Sequence, residues 1–166
     1  MAEALLVTRN DIVKFTALNG NVDSDNFLQW VKVAQDIHIQ NYLGTDLIER
    51  IKTDIINEDL SGNYLNLVVT YVKPMLIHFA MMEYLPFAAY TIANKGVYKH
   101  SSENATNVEK NEIDYLVEKE RSIAQHYTER FIDYMSFNQA LFPEYNSNSN
   151  GNMYPDTQNN YTGWFI

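Results

Sequence analysis

Between Tyr64 and Ala93 the chain is rich in apolar residues that form no single stripe. Leu65, Leu67, Val68, Val69, Val72, Met75, Leu76, Phe79, Met82 and Leu85 are not confined to one face of a helix with 3.6 residues per turn. A helix apolar nearly all round belongs at the centre of a bundle or at a contact between subunits. That demand sets the fold class: helices packed on helices, with this segment enclosed by its neighbours. Pro74 and Pro86 each remove a backbone donor, so two or three shorter pieces in line are expected. Lys95-Gly96 ends the run.

The flanking segments read as amphipathic helices. Thr8 can cap a short first helix running to about Leu18, with Asp11 suited to its positive end. Asn19-Gly20-Asn21 breaks it. Asp23-Ser24-Asp25 offers caps for a second helix, whose buried stripe is Phe27, Trp30, Val31, Ala34 and Ile37. Gly44 is a natural left-handed stop. Thr45 and Asp46 open a third helix striped by Leu47, Ile48, Ile51 and Ile55, closing near Ser61-Gly62-Asn63. His100 to Asn107 is polar and turn-rich, and Val97-Tyr98 ahead of it has the character of a short strand or hairpin. A long helix follows from about Val108 to Phe137, spanning about 45 Å at 1.5 Å per residue. Ile113, Leu116, Val117, Ala124, Tyr127, Phe131 and Met135 mark its buried face. Glu109, Glu112, Glu118, Lys119, Glu120, Arg121 and Glu129 mark its wet one. The expectation is an all-α bundle of about five helices over residues 1–145, with a long C-terminal helix and an extended tail over 146–166.

The tail has two unlike halves. Asn146-Ser147-Asn148-Ser149-Asn150-Gly151-Asn152 has no periodicity and little to bury, so it should not fold alone. Tyr161-Thr162-Gly163-Trp164-Phe165-Ile166 then places four large apolar side chains within six residues. A flexible tether carrying an aromatic hook suits docking on a partner or neighbouring subunit, through Tyr161, Trp164, Phe165 and Ile166. Folding back onto the chain's own helices is the alternative.

Composition excludes several functions. There is no Cys, hence no disulfide framework, no thiolate metal site and no thiol nucleophile. The formal net charge is −9, with 12 basic residues scattered among 21 acidic ones. A nucleic-acid reader normally shows a basic face, so tight DNA binding is not expected, although an acidic wall suits a channel through which DNA slides. Met1-Ala2-Glu3-Ala4 lacks the basic start and apolar run of a signal peptide. The longest uncharged stretch in the helical region, Leu60 to Val72, is 13 residues, short of the roughly 20 a membrane span requires. A soluble protein without membrane contact is expected.

The chemistry-bearing residues form no catalytic pattern. No Glu has a His three positions on, as di-iron bundles require. His126 and Glu129 read as a surface pair. His38 reads as a partly buried, hydrogen-bonded side chain that does not share a face with Asp36. His78 reads as a core or interface His with a satisfied nitrogen, and His100 as a loop residue. There is no Gly-x-Gly-x-x-Gly, no phosphate loop and no Gly-x-Ser-x-Gly. No enzyme, cofactor or metal is expected.

Three stretches together resemble a known family. The first is Val33-Ala34-Gln35-Asp36 leading to Tyr42-Leu43-Gly44-Thr45-Asp46-Leu47. The second is Glu83-Tyr84-Leu85-Pro86-Phe87 with Asn94-Lys95-Gly96-Val97 and Ser101-Ser102-Glu103-Asn104. The third is Phe131-Ile132-Asp133-Tyr134 with Leu141-Phe142-Pro143-Glu144-Tyr145. In this order they resemble the head–tail connector (adaptor) proteins of tailed phages, in the form seen in crAss-like phages that infect Bacteroidetes. The resemblance runs from roughly Asp25 to Tyr145. It implies a mainly helical virion subunit, assembled in the host bacterial cytoplasm into a twelve-fold ring beneath the portal. Such a ring continues the DNA channel, docks further neck and tail proteins, meets DNA only as passive cargo, and has no enzymatic activity or cofactor. Two other classes fit the residues. One is a free-standing helical adaptor or regulator acting as monomer or dimer, and the other a bundle holding a metal or cofactor.

Overall fold

The computed structural model describes residues 3–18, 24–88, 90–93, 96–99, 109–148 and 151–158. Among these residues the chain forms five helical rods and one antiparallel hairpin. Helix α1 is Arg9–Phe15, and α2 covers 24–43. Helix α3 is Thr45–Ile56, α4 is Gly62–Phe87 and α5 is Lys110–Asn138. Strands β1 (Tyr90–Ala93) and β2 (Gly96–Lys99) pair in register, Thr91 with Tyr98 and Ile92 with Val97. The all-α class expected from the sequence is the class found.

Helix α1 starts as its sequence dictates. The Asp11 amide donates to the Thr8 hydroxyl, and the Thr8 amide donates back to the Asp11 carboxylate at 2.9 Å. In α2, Phe27, Val31 and Ala34 are buried as expected, but Ile37 is 60% exposed. The cause is a π-helical turn over Gln35–Ile39, where the Gln40 amide reaches back five residues to the Gln35 carbonyl. The extra residue in that turn rotates the phase, so that beyond Gln35 the buried positions are Ile39 and Leu43. Gly44 then stops the rod at φ +77° and ψ 160°, outside the left-handed helical well but in a region open to glycine.

Helix α4 is the centre the sequence requires. From Met75 to Met82 every side chain except His78 is buried. Pro74 does not break the rod. It has no amide to give the Thr70 carbonyl, and the turn ahead of it, Val68–Val72, widens to π geometry, the Lys73 amide donating to the Val68 carbonyl. Pro86 tightens the end into a 3₁₀ turn, Leu85–Phe87. The helix therefore stops at Phe87 and not at Ala93, and the aromatic and β-branched run Tyr90-Thr91-Ile92 enters β1 instead. By length and hydropathy α4 matches a membrane span, with mean hydropathy 1.4 over its most apolar 18-residue window, yet 56% of that window is buried inside the bundle.

Helix α5 returns antiparallel to α4. Its contacts fix the pairing: His78 with Glu120, Tyr71 stacked on Tyr134 at 4.2 Å, and Tyr64 edge-on to Phe142 at 5.2 Å. Two 3₁₀ turns, Gln139–Leu141 and Pro143–Asn146, then fold Phe142 and Tyr145 into the core. The Tyr64 hydroxyl donates to Glu144 at 2.6 Å, and Arg50 reaches the same carboxylate at 3.3 Å. Burial and then this carboxylate push the Tyr64 phenol up to about 12.

Candidate assembly surface

Three features stand out on the surface of the described residues: a seated tail, a groove beside α4, and an exposed half of α5. Residues 151–158 lie along the corner between α2 and α3. The Thr45 amide donates to the Met153 carbonyl at 3.0 Å, and the Asp156 amide donates to the Asn41 carbonyl at 2.8 Å. The Met153 amide donates to the Thr45 hydroxyl, and the Ser147 hydroxyl to Asp46 at 2.8 Å. The tail thus supplies an acceptor for one of the unpaired amides at the start of α3. This half follows the self-packing alternative. The hook residues Tyr161, Trp164, Phe165 and Ile166 lie outside the described residues.

At the other end of the chain, a buried side chain clamps the N-terminal segment. Gln35 is fully buried, takes the Leu6 amide at 3.0 Å and gives its own NH₂ to the Ala4 carbonyl at 3.0 Å. It does for the segment what a neighbouring strand would do. Leu6, Val7 and Ile12 join the core behind it. Nothing in the local sequence distinguishes Gln35 from a surface glutamine. It lies four residues after buried Val31, on the face that α2 already turns to the core.

The groove is built by α1, α4 and α5. Asp11 and Phe15 come from α1, Val69, Lys73, Pro74, Ile77 and His78 from α4, and Tyr127 from α5. Its volume is about 280 Å³. Lys73 meets Asp11 at 2.9 Å, tying α1 down. Burial raises the Asp11 pKa, but the Lys73 ammonium and the Thr8 amide and hydroxyl outweigh it, and the net shift is downward. His78 meets Glu120 at 2.7 Å and lies parallel to the Tyr127 ring. Glu120 therefore belongs to the helix–helix seam and not to the wet face assigned from the sequence. Along the same seam Arg130 lies over two rings, 5.8 Å from the centre of Tyr127 and 6.0 Å from that of Tyr71. Among the described residues Arg130 makes no ion pair.

Helix α5 is unevenly covered. From Lys110 to Ile123 no residue is fully buried, while Ala124, Thr128, Phe131 and Met135 all are. Tyr115 is 69% exposed and Leu116 43%. Leu116 was expected on the buried face. Its neighbours Asn111, Glu112 and Tyr115 line a shallow depression with it.

Of the remaining histidines, His38 follows its reading, His126 is exposed as expected but without its expected partner, and His100 falls outside the description. His38 is half-buried, 2.8 Å from Glu83 and stacked on Phe79 at 4.2 Å. Asp36 points elsewhere, to Lys32. His126 is exposed and meets the edge of Tyr127, not Glu129. His100 lies outside the described residues. Among the described residues no group of three or more His, Asp or Glu side chains gathers where a metal ion would sit.

No curated protein matches the chain, and no solved structure does. The chain belongs to the Family of unknown function (DUF6712), which matches residues 39–155, from the last residue of the π turn in α2 to the Pro155 that closes on Gly44.

Proposed function

We propose that the chain is a structural subunit of a phage neck: a head–tail connector that forms a ring under the portal, extends the DNA channel and docks further neck and tail proteins. The resemblance over roughly Asp25 to Tyr145 supplies the identity. The observation that carries it is the presence of two unlike exposed apolar surfaces on one small chain, the groove flanked by Phe15 and Val69 and the opening turns of α5. A subunit in a closed ring needs two such surfaces, because each copy meets its neighbours head to tail. The reading assigns the protein no catalysis, no cofactor and no membrane contact. The hook Tyr161, Trp164, Phe165 and Ile166 is assigned to the portal or to a neighbouring copy.

The test is co-assembly. Purified chain mixed with its portal is expected to give a complex of about twelve copies by native mass and by particle imaging, with density at the neck of the virion. No complex and no neck density would overturn the reading. A stable monomer or dimer that instead captures a host protein would favour the free-standing adaptor.

A further inference from the structure

We infer that the opening turns of α5 from one copy dock in the α1–α4–α5 groove of the next, with Arg130 receiving a carboxylate of the incoming helix. This rests on the ring reading and names its contact. The groove edge is apolar and open: Phe15 is 57% exposed and Val69 50%. Tyr127, which lines the same groove, has Arg130 over its ring, and Lys14 lies over the ring of Phe15 at the groove edge. Lys32, Arg50, Lys52, Lys73 and Arg121 all engage carboxylates. Arg130 instead lies over two tyrosine rings and makes no ion pair among the described residues, so its guanidinium can take a carboxylate from outside.

The incoming element has the complementary character. Residues 109–123 carry five acidic and three basic side chains. Tyr115 and Leu116 stand exposed among them, and Asp114 precedes Tyr115. Tyr115 and Leu116 fit against Phe15 and Val69, and Asp114 is the nearest carboxylate for Arg130.

The opening turns that enter the groove belong to a second copy, not to the same one. Asp114 and Arg130 lie on one continuous helix, sixteen residues apart, about 24 Å along a straight axis. A rigid helix cannot fold its first turns onto its own later ones. The two surfaces are also different, so the contact is heterologous, each copy offering its helix to one neighbour and its groove to the other.

The absence of Cys makes the test clean. Phe15→Cys and Leu116→Cys are prepared separately, both at exposed positions, and treated with a short bis-maleimide. The mixture is expected to give a cross-linked heterodimer, and neither variant alone should give a dimer. Arg130→Glu in the Phe15→Cys partner should cut the yield roughly tenfold or more, with circular dichroism unchanged. No heterodimer, or an equal dimer from Leu116→Cys alone, would overturn the inference. The double variant separates this contact from the ring reading. A ladder ending at a closed species supports both. A ladder running on without closure supports the contact and refutes the ring. Portal-bound rings that form without any cross-link keep the ring and refute the contact.

Discussion

Gly44→Ala is the sharpest probe of how the tail is seated. A Cβ at position 44 would lie 2.8 Å from Pro155 Cδ, 3.1 Å from Pro155 N and 3.2 Å from the Met153 carbonyl oxygen. Carbon atoms prefer about 3.5–4.0 Å, so the tail backbone must move. Two costs follow. An alanine held at φ +77° and ψ 160° is strained by about 1–3 kcal/mol. A displaced tail loses the Thr45–Met153 and Asp156–Asn41 hydrogen bonds, together about 1–3 kcal/mol. The full-length variant should therefore lose about 2–6 kcal/mol. The second cost vanishes when there is no tail to displace. In a chain ending at Asn148 the same substitution should cost only the backbone strain, so Tm should fall less by about 2–12 °C. Urea and thermal denaturation of the four proteins, followed by circular dichroism, closes the cycle. An equal cost of Gly44→Ala in both backgrounds would refute a tail seated against Gly44.

The Gln35 clamp gives a second expectation: Gln35→Ala strands the buried Leu6 amide and Ala4 carbonyl, costs about 1–3 kcal/mol, and exposes residues 3–18 to limited proteolysis. Asp11 gives the pH dependence. Its folded pKa lies below its ordinary 3.8, so its stabilising share is present above that value and is lost as pH falls through the folded pKa. The stability gap between the natural chain and Asp11→Asn should therefore close in acid, as urea midpoints measured from pH 6 downward would show. Glu58 sits at φ 59° just past α3, where glycine carries no side-chain penalty. Glu58→Gly should raise stability by up to about 1 kcal/mol, read as a higher urea midpoint with an unchanged slope. A chain lacking Tyr161, Trp164, Phe165 and Ile166 should keep its circular dichroism spectrum and lose attachment to portal or neighbour in a co-assembly assay.

Much of the fold was legible because it rests on periodicity and capping. The Thr8–Asp11 box, the buried stripe of α2 up to Ala34 and the central place of α4 each follow from residue spacing. The failures have physical causes. The π turn at Gln35–Ile39 shifts the helix phase, and no composition rule announces such a turn, so Ile37 was placed inside. The end of α4 at Phe87 follows from Pro86 acting with the strand preference of Tyr90-Thr91-Ile92, whereas the apolar pattern alone runs on to Ala93. Residues 151–158 are held chiefly through backbone groups, to Asn41 and Thr45, and backbone bonds leave no side-chain signature. The groove joins α1, α4 and α5, whose residues are far apart in sequence. Arg130 becomes distinctive only when Tyr71 and Tyr127 are brought beneath it.

The bond between Thr45 and Met153 links residues 108 positions apart. Synthesis delivers the amino end first, so the start of α3 exists long before the carbonyl that completes it. Until that late segment arrives, the Thr45 amide can pair only with water. Closing so long a loop is entropically slow and comes after the local helices have formed. Any chain that stops short of Met153 therefore keeps its helices but shows an open corner between α2 and α3, which the seated residues 151–158 close.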